Sequence, residues 1–80
     1  MNGTNTTAAY YLGVCAERRG DLDAAAARYR RLVEMDPERA TGHAALSRVF
    51  RQAGDPAGST EFADKARRLD PKVSFEVETP

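Results

Sequence analysis

Few side chains in this sequence of 80 residues carry reactive chemistry. Cys15 is the only cysteine and His43 the only histidine. Together they are too few to hold zinc, which takes four ligands or three plus water. One imidazole leaves little for general acid–base work, and neither a Ser/His/Asp set nor a Gly-rich phosphate loop is present. Cys15 falls on an apolar stripe and is expected to be a buried, inert thiol. The tripeptide Arg19-Gly20-Asp21 has the form of an adhesion signal, and Asn2-Gly3-Thr4 and Asn5-Thr6-Thr7 have the form of glycosylation sequons. Both readings need a secreted chain. The N-terminus has no basic stretch before its apolar part, so it makes a poor signal peptide. These residues predict no enzyme, no metal and no cofactor.

Composition narrows the partners. Lys and Arg total 12, as do Asp and Glu. With no net charge there is no long-range field to draw in nucleic acid or an anionic membrane. The pairs Arg18-Arg19, Arg30-Arg31 and Arg67-Arg68 are interspersed with acids and read as solvated faces. No apolar run approaches the roughly 20 residues of a membrane span. A lone cysteine cannot close an internal disulfide, so the expected setting is cytoplasmic.

The elements that position these residues repeat. Leu12/Leu46, Gly20/Gly54, Asp21/Asp55, Asp36/Asp70 and Pro37/Pro71 are identical pairs, all at one and the same spacing. Gly supplies the left-handed conformation that ends a helix, and Asp caps the next one by accepting a free backbone N–H. The Asp-Pro pairs stop the second helix of each unit, because proline disfavours the helical conformation of the residue before it. The pattern predicts helices over 6–18, 22–35, 40–52 and 57–69, with Thr6 or Thr7 capping the first. Their apolar faces are expected to be Ala8, Tyr11, Leu12, Cys15 and Ala16, matched at that same spacing by Gly42, Ala45, Leu46, Val49 and Phe50. The second helices show Leu22, Ala25, Ala26, Tyr29, Leu32 and Val33, then a weaker Phe62, Ala63, Ala66 and Leu69.

These residues resemble the tetratricopeptide repeat, a helix–turn–helix unit of about 34 residues with the pattern W-x2-L-G-x2-Y…A-x3-F…P. The spacing of the identical pairs is the length of that unit. The first copy reads Ala9-x2-Leu12-Gly13-x2-Ala16, Ala25-x3-Tyr29 and Pro37. The second reads His43-x2-Leu46-Ser47-x2-Phe50, Ser59-x3-Ala63 and Pro71, losing both the small Gly and the aromatic of its second helix. Both lack the opening Trp, whose place in the second copy His43 takes, which implies a packing role. The implied fold is all-α: two stacked units, residues 6–39 and 40–73, in a short right-handed superhelix of four helices. A flexible N-terminus (1–5) and an irregular C-terminal tail (74–80) would flank them.

The resemblance implies a concave groove lined by the first helix of each unit, binding a protein or an extended peptide. The positions carried over are Thr7, Tyr10, Val14 and Glu17, then Thr41, Ala44, Arg48 and Arg51. Arg48 and Arg51, three apart on one face, can hold a carboxylate with Tyr10 as an apolar shelf. One branch of the family grips an acidic peptide terminus with Lys and Asn in its groove. Thr7, Val14 and Ala44 stand at the corresponding positions, so that specificity is not expected. Two units are few for such a stack, which normally needs about three and a polar cap. The charged last helix can serve as that cap, but nothing comparable precedes the first unit. Self-association as a homo-oligomer, a place in a longer array, or a regulatory segment of a larger enzyme are the alternatives. In the tail, Val73, Phe75 and Val77 alternate with polar residues, a strand-like pattern. A frayed tail is expected in isolation, with the start of a further domain or a segment docked on an exposed apolar face as the alternatives.

Overall fold

A computed structural model describes residues 2–76, with side chains described from residue 6 onward. Four helices follow one another: α1 (Asn2–Arg18), α2 (Leu22–Met35), α3 (Ala40–Gln52) and α4 (Pro56–Leu69). No strand occurs among the described residues. Each helix packs on its neighbour in the chain, so α1 lies on α2, α2 on α3 and α3 on α4.

The punctuation works as the sequence implies. Gly20 and Gly54 have φ of +78° and +84°, the left-handed conformation that residues with a Cβ rarely adopt. At each the chain reverses through an equivalent bond. Asp21 N–H donates to the Ala16 carbonyl, and Asp55 N–H to that of Phe50, both at 2.9 Å. The two Asp side chains then cap the next helix, accepting from the Ala24 N–H at 3.3 Å and the Gly58 N–H at 3.1 Å. Arg-Gly-Asp is therefore the first of two equivalent helix turns. Pro56 occupies the first turn of α4, where its missing N–H costs nothing.

Two expectations for the first helix are corrected. The helix begins at Asn2 rather than at residue 6. Once a helix is nucleated, each added residue gains a backbone bond, so the packed turns carry it backwards past the threonines. Thr6 Oγ1 accepts instead from Arg39 Nη1 at 3.4 Å. The second correction concerns its faces. Ala8, Tyr11, Leu12 and Cys15 are exposed, and of the expected stripe only Ala16 is buried. What α1 buries is Ala9, Tyr10, Gly13, Val14, Ala16 and Glu17. The reason is visible in the second unit. Gly42, Ala45, Leu46 and Val49, the counterparts of the exposed four, are all buried. They lie against α2, where a Cβ on Gly42 would stand 3.0 Å from Val33 Cγ2. That face of a first helix meets the second helix of the unit before it, and among the described residues α1 has no such neighbour.

The core runs along the middle of the stack. Tyr29, Leu32, Leu46 and Val49 are its largest fully buried side chains. Gly13 allows α1 and α2 to close, because a Cβ there would come within 2.8 Å of Tyr29 Cδ1 and Cζ. The weaker stripe of α4 buries only Ala66 fully and leaves Leu69 exposed, consistent with an end helix that faces water.

Candidate functional site

Helices α1, α2 and α3 meet around one buried carboxylate. Glu17, near the end of α1, is 8% exposed. Arg48 on α3 grips it with two bonds, Nε to Oε2 at 2.6 Å and Nη2 to Oε1 at 2.7 Å. Such a bidentate pair uses the planar fork of arginine, which a lysine cannot reproduce. Tyr29 Oη, from α2, donates to Glu17 Oε1 at 2.9 Å and receives Arg48 Nη2 at 3.2 Å. Gln52 Nε2 donates to the second oxygen. Three helices are thus joined through one side chain.

The electrostatics follow from this geometry. Burial alone would raise the Glu17 pKa, but the hydrogen bonds from Arg48, Gln52 and Tyr29 and the Arg48 charge outweigh it and hold it below the ordinary carboxylate value. Tyr29 is pushed well above the ordinary phenol value, first by burial and then by the adjacent Glu17 charge. Arg48, despite burial, is held more firmly protonated by Glu17. The cluster is a closed ion pair, unsuited to exchanging protons near neutrality.

The groove positions drawn from the sequence separate into two groups. Tyr10, Val14, Glu17 and Ala44 are buried, Tyr10 with its ring centroid 6.0 Å from that of Tyr29. Thr41 and Arg48 are half-buried, and Thr7 and Arg51 are exposed. The carboxylate that Arg48 holds belongs to the chain itself, so the pairing of Arg48 with Arg51 on an outside acid is replaced. Arg51 makes no ion pair among the described residues. Beside it lies a pocket of about 290 Å³ lined by Ser47, Arg51, Ser59, Ala63, Arg67 and Phe75, among others.

Other expected roles are settled by packing. His43 is buried, stacks on Phe62 with centroids 6.1 Å apart, and donates from Nε2 to the Pro37 carbonyl at 2.9 Å. Its packing role is as the sequence implies. Its Nδ1 has no protein partner among the described residues. Cys15 is exposed, correcting the expectation of a buried thiol, because among the described residues no helix covers the face it occupies. No group of three His, Cys, Asp or Glu that could hold a metal occurs among the described residues. Among those residues no helix is long and apolar enough to cross a membrane.

The tail, expected to be frayed with docking only as an alternative, is docked as far as Phe75. After Asp70 the chain turns back, with Val73 N–H on the Asp70 carbonyl at 3.0 Å. Arg48 Nη1 then donates to the Phe75 carbonyl at 3.0 Å, and the Arg67 guanidinium sits 5.0 Å from the Phe75 ring centroid. The alternation of Val73 and Phe75 was the one available signal; Val77 lies outside the described residues.

With paired helices, glycine turns and the buried ion pair in view, comparison decides the family. A family model described as Tetratricopeptide repeat matches residues 4–27 and 18–74. The chain belongs to the tetratricopeptide repeat family. No curated protein matches it. Tetratricopeptide repeats generally mediate protein–protein interaction and are typically non-enzymatic. In this tetratricopeptide pair, Gly13 and Tyr29 occupy the small and aromatic positions of the family pattern, and the second unit has Ser47 and Ala63 there.

Proposed function

We propose that the chain is a non-enzymatic interaction module that presents its inner surface, on the Arg51 side of the Glu17–Arg48 pair, to an extended segment of a partner protein. The observation that carries this reading is Arg48 Nη1 donating to a main-chain carbonyl, that of Phe75, in a non-helical segment lying on this surface. Main-chain recognition of this kind accepts many sequences, and the flanking side chains then select among them. Arg51 and Arg67 favour an acidic partner; nucleic acid and membrane have no matching feature. A cytoplasmic setting suits the exposed, unpaired thiol of Cys15. The test is a library of displayed dodecapeptides selected against the whole chain. Selected peptides should lose binding on Arg51→Glu and keep it on Glu34→Arg, on the exposed side of α2. Binders indifferent to Arg51→Glu, or none at all, would refute the reading.

A second reading rests on a separate observation. Leu12 and Met35 are 48% and 40% exposed, and with Ala8, Ala27 and the flanking Arg28 and Arg31 they line one shallow concavity across α1 and α2. A contiguous patch of this kind suits association, here with a second copy. Solution mass across a concentration series tests it: Leu12→Glu should abolish any dimer, and a strict monomer at high micromolar concentration removes the reading.

A further inference from the structure

The two units differ at the place where their helices close. In the first, the Tyr29 ring lies over Gly13 and fills the space between α1 and α2. In the second unit the position equivalent to Tyr29 is Ala63, and the one equivalent to Gly13 is Ser47. The loss of a whole ring is not made good by the added hydroxyl. Ser47 Oγ bonds instead to the Ser59 carbonyl at 2.8 Å, and the pocket of about 290 Å³ opens between α3 and α4 beside Ala63. Phe75 of the returning tail forms part of its wall, half-buried beneath the Arg67 guanidinium.

Building on the groove reading, we infer that this notch is a binding site for an aromatic side chain carried by an extended acidic segment of a partner, and that the chain's own Phe75 competes for it. Three observations converge. The notch stands beside the position where the other unit carries a tyrosine, and its volume of about 290 Å³ can take an aromatic side chain. Its rim carries Arg51 and Arg67, which attract carboxylates and stack on rings. The segment that reaches it in cis has this same chemistry, an aromatic Phe75 followed by Glu76. Tethering keeps such a segment at high effective concentration, so even weak contacts in cis compete with a partner in trans.

The probe is a fluorescein-labelled peptide of residues 72–80, Lys-Val-Ser-Phe-Glu-Val-Glu-Thr-Pro, titrated by anisotropy against the full chain and its variants. The Phe75→Ala chain should bind it saturably. The unaltered chain should bind about fivefold more weakly, the effect of the ring contact with Arg67 made in cis, since the main-chain carbonyl that Arg48 bonds survives the substitution. A peptide with Phe→Ala should lose at least about tenfold. Ser47→Gly with Ala63→Tyr recreates the Gly13–Tyr29 pairing and should close the site. Arg67→Ala, at an exposed position, should weaken binding without disturbing the fold, as circular dichroism would verify. Equal binding by the unaltered and Phe75→Ala chains overturns the proposal. So does an absence of saturation up to millimolar peptide, or binding that survives both the filled notch and Arg67→Ala. A dimer of the unaltered chain that Phe75→Ala abolishes also overturns it, because the tail would then pair copies. Displayed peptides that depend on Arg51 but ignore the filled notch would leave the groove reading standing and remove this inference alone.

Discussion

The two units share one register and yet are open in opposite places. The first is closed within itself, Tyr29 filling the space over Gly13, but its outer face is bare. The second has a sealed outer face and an unfilled interior beside Ala63. Leu12 and Leu46 are the same residue at the same repeat position, 48% exposed in one unit and 1% in the other. The side chain does not decide its burial; the neighbour does. In a stack, each first helix needs an apolar face for its own partner and another for the preceding unit.

The largest expected effect tests that comparison at its centre. Leu46→Ala should cost about 3 kcal/mol, a large fraction of the stability of so small a domain, whereas Leu12→Ala should cost under about 0.5 kcal/mol. Urea denaturation of the two variants measures both, and similar losses would break the comparison.

Next is the link between the units. Glu17→Gln keeps the shape of the side chain but leaves Arg48 without its counter-charge, and should cost about 2 kcal/mol. The sign of the pH effect is fixed by the depressed Glu17 pKa. Its contribution is fully present above the unfolded carboxylate value of about 4.3 and is lost as pH falls through the lower folded value. Stability measured against pH should therefore decline less steeply on the acid side in Glu17→Gln than in the unaltered chain. Parallel declines would show that Glu17 is not the carboxylate concerned.

A smaller pair sharpens the interior difference. Gly13→Ala pushes a methyl group into the Tyr29 ring and should cost about 1–2 kcal/mol. Ser47→Ala loses only its hydroxyl bond to the Ser59 carbonyl and should cost about 1 kcal/mol or less. Thermal unfolding of both variants checks the order, and a reversal would place the tighter contact in the second unit.

Much of the fold was legible because it is written in local chemistry. Glycine turns, aspartate caps and Asp-Pro stops act within a few residues, and α2 and α3 occupy the spans these signals mark. The face of α1 was not legible in the same way. Ala8, Leu12 and Cys15 on one side and Ala9, Tyr10 and Val14 on the other are both apolar enough to be core, so periodicity alone cannot choose between them. The inner site was half legible. The positions of Glu17, Arg48 and Arg51 were drawn from the family pattern, but Glu17 and Arg48 are 31 residues apart and meet only once the units stack. That the second unit lacks its aromatic was visible as Ala63; that Phe75 would come back to the resulting notch depended on the turn after Asp70.

The most direct measurement compares thiol reactivity at two equivalent positions. Cys15 is exposed, and Val49, its counterpart in the second unit, is 1% exposed. The unaltered chain should react with a disulfide reagent at micromolar concentration within about tenfold of an unfolded peptide thiol. A Cys15→Ser, Val49→Cys chain should react at least about a hundredfold more slowly, because its thiol is reached only when the stack opens. Equal protection of the two thiols would contradict the account, since the outer face of the first unit would then be as covered as that of the second.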